Sequence, residues 1–445
     1  MLDKTKVRKL WLQDATEQKE FLDTVVKDNI EKYRKGDCKF RFTDENGNIL
    51  ANKKVKINQI SHDFKYGANI LMLDEFENDE LNKKYREQFK KYFNLATVPF
   101  YWDALEPEEG KVRFDKNSPK IYRRPAPDLC LEYCKENGID AKLHCLVYDK
   151  FIPKWLPRDN MEKMEELYEK RIKEIAKRYK GKLYEFEVIN EVGLEREWEY
   201  KSKISEKRDV VEWSFNMARK YLPDETLVIN EGGSPIYFLG SDDYRSAYFM
   251  LCDLALKNGA SIDKIGLQHH TFTGSTSKTE EEYEKAVMQK INKFNPKFIL
   301  RALDIISELN LPLEITEVTI PTFGFDKEDE ILQADLLEVL YTTFFSHKNV
   351  NEVVYWNLPD GCAYEIDSWN ENNVKGGLFK KDMTPKESAK RLHYLFNEKW
   401  HTDLELVTDE NGCVNFRGFY GNYVAEIDGK KYNFGLHKNI EIKNN

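Results

Sequence analysis

Two glutamates, Glu191 and Glu317, are the residues of this 445-residue chain with types and settings best suited to chemistry. Each closes or interrupts a short apolar run, Tyr184-Glu-Phe-Glu-Val-Ile-Asn190-Glu191 in one case and Leu313-Glu-Ile-Thr-Glu317-Val-Thr-Ile320 in the other. Such runs read as buried parallel strands. A barrel core is filled by apolar side chains, so a charge on a strand is costly unless it faces a solvated mouth. Other polar residues collect at comparable strand ends: His144 to Asp149, Asn230-Glu231, Gln268-His269-His270, and Trp356 to Asp360. Two carboxyls facing each other across a barrel suit cleavage of a glycosidic bond, one protonating the leaving oxygen while the other attacks or assists at the sugar carbon. The plainer reading of Glu191 alone is a cap on the following helix.

The elements that must position these residues form a strand-then-helix rhythm from about 61 to 400. Eight candidate strands can be counted: Phe64–Ile70, Phe93–Phe100, Ala141–Tyr148, Tyr184–Glu191, Thr226–Glu231, Ile262–His270, Leu313–Ile320 and Val350–Leu358. Charge-rich helical segments such as Met161–Arg178 and Val211–Lys220 lie between them, and eight βα units predict an α/β fold, a closed (β/α)8 (TIM) barrel. The rival, a doubly wound open sheet, wants a glycine-rich phosphate turn after the first strand, and Gly67-Ala68-Asn69-Ile70 is not one.

Outside this middle the texture changes. Residues 1–36 are a helical segment, with Phe21, Val25, Ile30 and Tyr33 expected to face inward and a break expected at Gly36-Asp37. Residues 37–60 alternate as strands around Asn46-Gly47, and 401–445 do so around Asn411-Gly412 and Asp428-Gly429. A two-stranded hairpin is barely stable alone, so the two pieces are expected to pair into one small β-sandwich-like module, discontinuous in sequence; two separate decorations are the alternative. The module either binds glycan or braces the barrel, and without a row of exposed aromatics bracing is favoured.

Composition narrows the class. With 41% hydrophobic and 33% charged residues the chain can bury a full core, and a net charge of −9 disfavours nucleic acid and anionic membrane as partners. No run of about 18 apolar residues and no charged-then-apolar leader is present, so a cytoplasmic location is expected for the chain as given, or secretion if a leader has been removed. The seven scattered cysteines read as reduced thiols. No ligands cluster at metal spacing, so neither a metal nor an organic cofactor is expected.

Five segments in order carry a family resemblance: Trp102-Asp-Ala-Leu-Glu-Pro107, His144 followed by Leu146-Val147, Val188-Ile-Asn-Glu191, Ile265-Gly-Leu-Gln-His-His270, and Glu314-Ile-Thr-Glu317. Together they resemble glycoside hydrolase family 10, chiefly retaining endo-β-1,4-xylanases on a (β/α)8 barrel. The flanking β pieces, with Arg417-Gly-Phe-Tyr-Gly421, are similar to those of an atypical branch. The resemblance implies a polysaccharide or oligosaccharide substrate, xylan or xylo-oligosaccharides, with a different or branched β-glycan, or binding without turnover, as alternatives. It implies Glu191 as general acid/base and Glu317 as nucleophile, with carboxyls about 5 to 5.5 Å apart. Glu191 should have its pKa raised while neighbours hold Glu317 charged. His270, or His269 if the register is off by one, matches the histidine that hydrogen-bonds the nucleophile. Asn190 matches the residue gripping the sugar 2-hydroxyl, Gln268 and His144 match sugar contacts, and Trp356 matches the aromatic wall, with Trp369 a second aromatic and Asp360 a supporting residue.

Two departures stand out. The usual Glu-Asn-x-Met-Lys-Trp is Thr97-Val98-Pro99-Phe100-Tyr101-Trp102 here, so an asparagine and a lysine that hold the sugar become Val98 and Tyr101. The usual Val-Trp-His is Val147-Tyr148-Asp149. Tyr101, Tyr148 and Asp149 are therefore expected to line remodelled sugar subsites, in which unsubstituted xylan is a poor substrate.

Overall fold

The computed structural model describes residues 3–198, 201–289, 291–324 and 326–438. Helical turns run from Lys4 to Arg34 and lead directly into strands β1 (Lys35–Arg41) and β2 (Lys54–His62). Eight further strands follow: β3 (Lys65–Asn69), β4 (Leu95–Pro99), β5 (Asp140–His144), β6 (Glu185–Asn190), β7 (Leu227–Glu231), β8 (Lys264–His270), β9 (Leu313–Thr319) and β10 (Val350–Tyr355). They pair in sequence order and β10 returns to β3 in parallel, so the sheet is a closed barrel. The eight strands expected from the sequence are these eight, although β5 stops at His144 and β10 at Tyr355, short of the expected ends.

Burial on both faces explains why the runs are legible: every residue of β4, β6, β7 and β9 is buried. The outer face is covered by helices whose starts are fixed by capping. Asn160 accepts from the Lys163 amide to begin helix Met161–Tyr179, and Asp326 with Asp329 forms a reciprocal capping box on helix Lys327–Ser346.

The barrel floor departs from the expected apolar filling. Lys142 Nζ lies 2.8, 2.7 and 2.9 Å from carboxyl oxygens of Glu185, Glu314 and Glu352, and Lys264 Nζ lies 2.9 Å from Glu314, all within the closed sheet. Two ammoniums against three carboxylates leave one negative charge in excess. Burial, together with Glu185 and Glu314, pushes Glu352 well above the ordinary carboxylate range.

After a two-strand hairpin, β11 (Glu365–Ile366) and β12 (Trp369–Asn370), the chain ends in β13 (Asp403–Val407), β14 (Cys413–Phe419), β15 (Gly421–Ile427) and β16 (Lys430–Leu436). β1 pairs with β14, and β2 lies between β13 and β15 in a four-stranded sheet. The two sheets enclose Phe42, Val55, Ile57, Val414, Tyr423 and Ile427. Residues 439–445 of the expected β segment lie outside the described residues.

Two local expectations change. The segment Leu22–Val26 is π-helical, and the extra residue per turn rotates Val25 outward, 45% exposed, and Val26 inward, fully buried. Gly36 does not break the helix; it lies within β1, where a Cβ would come within 2.7 Å of the Tyr420 ring.

Candidate functional site

The carboxyl ends of the barrel strands open into one cleft of about 1270 Å³. Glu191 is the first residue beyond β6, with its backbone amide donating to Asn230 O at 3.1 Å. Its φ of +55° places a non-glycine residue in the left-handed region, a conformation that costs on the order of 1 kcal/mol and recurs at functional positions. Glu317 sits within β9, across the barrel. Pairing is irregular near the mouth between Glu187 and Ile189 on β6 and between Leu267 and Gln268 on β8. Such irregularities re-aim side chains, and here consecutive residues Asn190 and Glu191 both reach the cleft.

One side chain joins the two carboxyls. Gln268 Nε2 donates to Glu317 Oε1 at 2.8 Å and to Glu191 Oε1 at 3.0 Å, so those oxygens can be no farther apart than the sum of two hydrogen bonds. Asn190 Oδ1 lies 3.3 Å from the same amide nitrogen and accepts from Asn230 Nδ2 at 3.0 Å. Asn230 also reaches Glu317 Oε1 at 3.2 Å, and its own oxygen accepts from the Thr316 hydroxyl at 2.6 Å, which fixes the amide's orientation. Glu191 Oε2 accepts from the Tyr148 hydroxyl.

His270 Nε2 lies 3.2 Å from Glu317 Oε2, and its Nδ1 lies 2.8 Å from the Thr319 hydroxyl. Burial lowers the His270 pKa to about 4, so near neutral pH the ring is neutral and carries one proton. For Nε2 to donate to Glu317, Thr319 must donate to Nδ1. His269, one residue back, turns away: its Nε2 meets Lys293 O at 2.8 Å. The histidine at Glu317 is thus His270.

His144 is buried, with Nδ1 2.8 Å from Glu187 Oε1. Burial acts against its protonation, but Glu187, with Glu317 and Glu191 behind it, outweighs burial and raises the pKa above the ordinary histidine value. Glu317 does not follow the expectation that neighbours hold it charged. Burial drives its carboxyl well above the ordinary range, Glu191 and Glu187 act in the same direction, and His144 opposes them. The donors Gln268, Asn230 and His270 work with His144, since each favours the anion.

Of the expected substrate contacts, Tyr101, His144, Tyr148, Asn190, Gln268, His270 and Trp356 line the cleft with the two glutamates. Asp149 does not. β5 ends at His144, and the next turn points Asp149 away from the mouth, where it accepts from the Tyr168 hydroxyl at 2.6 Å and from the Ser202 amide and hydroxyl at 2.8 and 2.7 Å. It braces the helix behind the wall. Trp369, on β12, lines the cleft with its ring centroid 5.3 Å from that of Phe272, whereas Asp360 pairs with Lys386 at 3.2 Å behind it. Sequence reasoning missed Asn230 as the link between Asn190 and Glu317. It also missed the Arg123-Arg124 doublet, a charge pair in an aromatic-flanked loop, which lines the same cleft.

Among the described residues, two groups combine residue types that bind metals. In His144, Cys145 and Glu187 the imidazole Nδ1 is already engaged by Glu187, and among Glu185, Glu314 and Glu352 the Lys142 ammonium occupies the centre. Neither presents a free set of ligand atoms.

The sequence model of glycosyl hydrolase family 10 matches residues 58–393. Among curated proteins, the chain is 26% identical over 436 residues to the anti-sigma-I factor RsgI6 of Acetivibrio thermocellus, covering 96% of this chain and 48% of that protein. It is 24% identical over 411 residues to endo-1,4-beta-xylanase 1 of Arabidopsis thaliana, covering 90% of this chain and 37% of that one. The chain thus spans about half or less of the length of these relatives. Native xylanase 10B from Thermotoga maritima superposes with a TM-score of 0.57 at 20% identity, covering 76% of this chain and 96% of that one. Xylanase 10B from Thermotoga petrophila RKU-1 in complex with xylobiose gives the same TM-score and identity, with 76% and 95% covered. At that identity the likeness is one of fold.

Proposed function

The chain belongs to glycosyl hydrolase family 10, and from that premise we propose that it is a retaining glycoside hydrolase acting on β-1,4-linked, xylan-type glycans. The observation that carries the reading is the Gln268 amide shared between Glu191 and Glu317. Two carboxyls this close suit double displacement, for which the separation is about 5 to 5.5 Å, and are too close for the inverting geometry with a water between them.

In the first step Glu317 attacks the anomeric carbon and forms an ester to the sugar, while Glu191 gives its proton to the departing glycosidic oxygen. In the second, Glu191 takes a proton from water, the water oxygen attacks the same carbon, and Glu317 leaves as carboxylate. Gln268, Asn230 and His270 direct three N–H groups at Glu317 and so fix the attacking oxygen. Asn190, set by Asn230, is placed to bind the sugar 2-hydroxyl as charge develops at the ring. Trp356 supplies an apolar face for the sugar. The Tyr148 hydroxyl donates to Glu191, an arrangement that steadies the carboxyl after it has lost its proton.

Val98 is fully buried, so nothing at that position hydrogen-bonds a sugar, and Tyr101 is buried beside His144 with ring centroids 5.2 Å apart. A sugar hydroxyl without its partner costs roughly 1 to 3 kcal/mol, which supports a preference for something other than unsubstituted xylan. A second reading, binding without turnover, draws on the likeness to a protein named as an anti-sigma factor. Hydrolysis of aryl β-xylobioside, with β-xyloside, β-glucoside, β-galactoside and α-arabinoside beside it, separates the two. Turnover by the wild type that Glu317→Ala abolishes supports the hydrolase. No release from any of them, together with unimpaired xylo-oligosaccharide binding, supports the binding reading.

A further inference from the structure

One wall of the cleft carries positive charge that the mechanism above does not use. Arg123 and Arg124 both line it, and neither guanidinium is paired with a carboxylate among the described residues. Arg123 is 7% exposed, its Nη2 donates to Asn357 Oδ1 at 2.9 Å, and its buried Nε has no hydrogen-bond partner. Arg124 donates from Nη1 to Arg123 O at 3.0 Å, and its guanidinium lies 4.1 Å from the centroid of the Tyr101 ring.

Arg113 and Arg171 are likewise buried without a carboxylate partner among the described residues, but there main-chain oxygens accept from Nε as well as from the terminal nitrogens, so the idle Nε sets Arg123 apart among the buried arginines. Arg86, Arg219 and Arg391 each pair with a carboxylate. The buried Arg34 turns into the core, where backbone carbonyls of His347 and Val350 accept from it at 2.5 and 2.7 Å. A buried guanidinium left with an idle N–H is costly, and a planar fork of donors is the group that matches a carboxylate bidentately. The backbone is also strained to place it: Arg123 has a φ of +61°, and Asn357, which receives it, has a φ of +69°.

Other charges face the same space. Glu371 accepts from Asn357 Nδ2 at 2.7 Å, so the amide stands between that carboxylate and Arg123 and keeps them apart. Lys150 adds a third cation, 5.4 Å from the centre of the Tyr364 ring. On the far side Lys293 donates to His270 O, and Asp367 lies at the tip between β11 and β12. Behind Arg124, the carboxyls of Asp103 and Glu75 feel its charge without forming an ion pair with it, and the cations that face the cleft here gather at the wall formed by Tyr101 and Phe151.

We infer that Arg123 and Arg124 form a subsite for a sugar carboxylate, so that the substrate is a uronate-bearing glycan rather than a neutral one. The inference rests on the hydrolase reading and deepens it. Tyr101 stands where the family places a lysine, and the guanidinium stacked upon it returns positive charge to that wall, now as a fork suited to a carboxylate rather than a point charge suited to hydroxyls. The carboxylate can come from a uronic acid branching from the chain or from one within it.

The test uses the wild-type chain and the double variant Arg123→Gln/Arg124→Gln, whose fold is checked by circular dichroism and melting temperature. Initial rates are compared on glucuronoxylan oligosaccharides and on the same oligosaccharides after reduction of their carboxyls to alcohols. An aryl β-glucuronide beside the aryl β-glucoside tests a carboxylate on the sugar being cleaved. The expected result is a wild-type kcat/KM roughly 10- to 100-fold higher for the acidic member of at least one pair. That ratio shrinks as salt rises from about 0.05 to 0.5 M, approaches one in the double variant, and is partly retained by Arg124→Lys. Equal rates on both members of each pair in the wild type, or a ratio the double variant keeps, overturn the inference, while turnover of aryl β-xylobioside leaves the hydrolase reading standing. If no glycoside is turned over, that reading fails first, and equilibrium binding of the same paired oligosaccharides decides the subsite: equal affinities sink it.

Discussion

At the scale of single residues, the burial of Glu317 sets a conflict between stability and reactivity. Its carboxyl is pushed above the 4.5 of a free side chain chiefly by burial. Folding then binds a proton, so stability is highest below about pH 4.5 and declines as pH rises toward the folded-state pKa. Glu317→Gln removes the ionisation and keeps one oxygen to accept from Gln268. The variant is expected to be inactive on aryl β-xylobioside yet more stable than the wild type at pH 7, with the gain gone at pH 4. Urea unfolding of both proteins at the two pH values checks this, and equal stability at pH 7 would sink the account. The neighbours Tyr148 and Asp149 show what residue identity alone conveys. Both are polar and adjacent after the same strand, but one points at Glu191 and the other at Tyr168. The phase of alternation past His144 depends on where β5 stops pairing, which no local pattern records.

At the scale of elements, β6 and the residue that follows it serve three depths of the barrel. Glu185 joins the charged floor, Glu187 holds His144 halfway up, and Glu191 reaches the cleft. The eight strands were legible because burial on both faces gives largely apolar runs, and the proposed catalytic pair because Glu191 closes one of those runs and Glu317 interrupts another. The floor was not legible. Lys142, Glu185, Glu314 and Glu352 lie on four different strands, and alternate charges on one strand read equally well as an exposed face. Only closure of the barrel brings them together. Their mutual dependence yields a further expectation. Lys142→Met leaves three buried carboxylates with one ammonium and should destabilise by roughly 3–5 kcal/mol at pH 7. Lower pH should recover part of the loss, because the unpaired carboxyls then take up protons. Denaturant midpoints at pH 5 and pH 8 test it, and a loss that does not depend on pH removes the charge argument.

At the scale of the whole molecule, a module built from both flanks of the sequence packs against the barrel. Arg34 buries its guanidinium against carbonyls at the start of β10, and Phe345 stacks on Trp400 with ring centroids 4.3 Å apart, so the module's root is continuous with the barrel core. The hairpin textures were visible in the sequence, but which strand pairs with which was not, because β2 is recruited between β13 and β15 by contacts that no local pattern contains. A chain ending at residue 400 would strip β2 of both neighbours and β1 of its partner. It should lose substantial helical and sheet ellipticity or aggregate, since long unpaired edges invite association. Restored solubility and an unchanged melting temperature for that truncation would show the module to be an ornament.

The pairing of β1 with β14 also bears on the order of events during synthesis. Asp37 and Arg417 meet across a separation of 380 residues, so β1 and β2 wait through synthesis of the whole barrel before their partners exist. The barrel strands, each paired to the next in sequence, can assemble as they emerge. The module can therefore be fastened only after the barrel strands exist, and a nascent chain that stalls before residue 403 presents β1 and β2 as open edges to whatever chaperone is at hand.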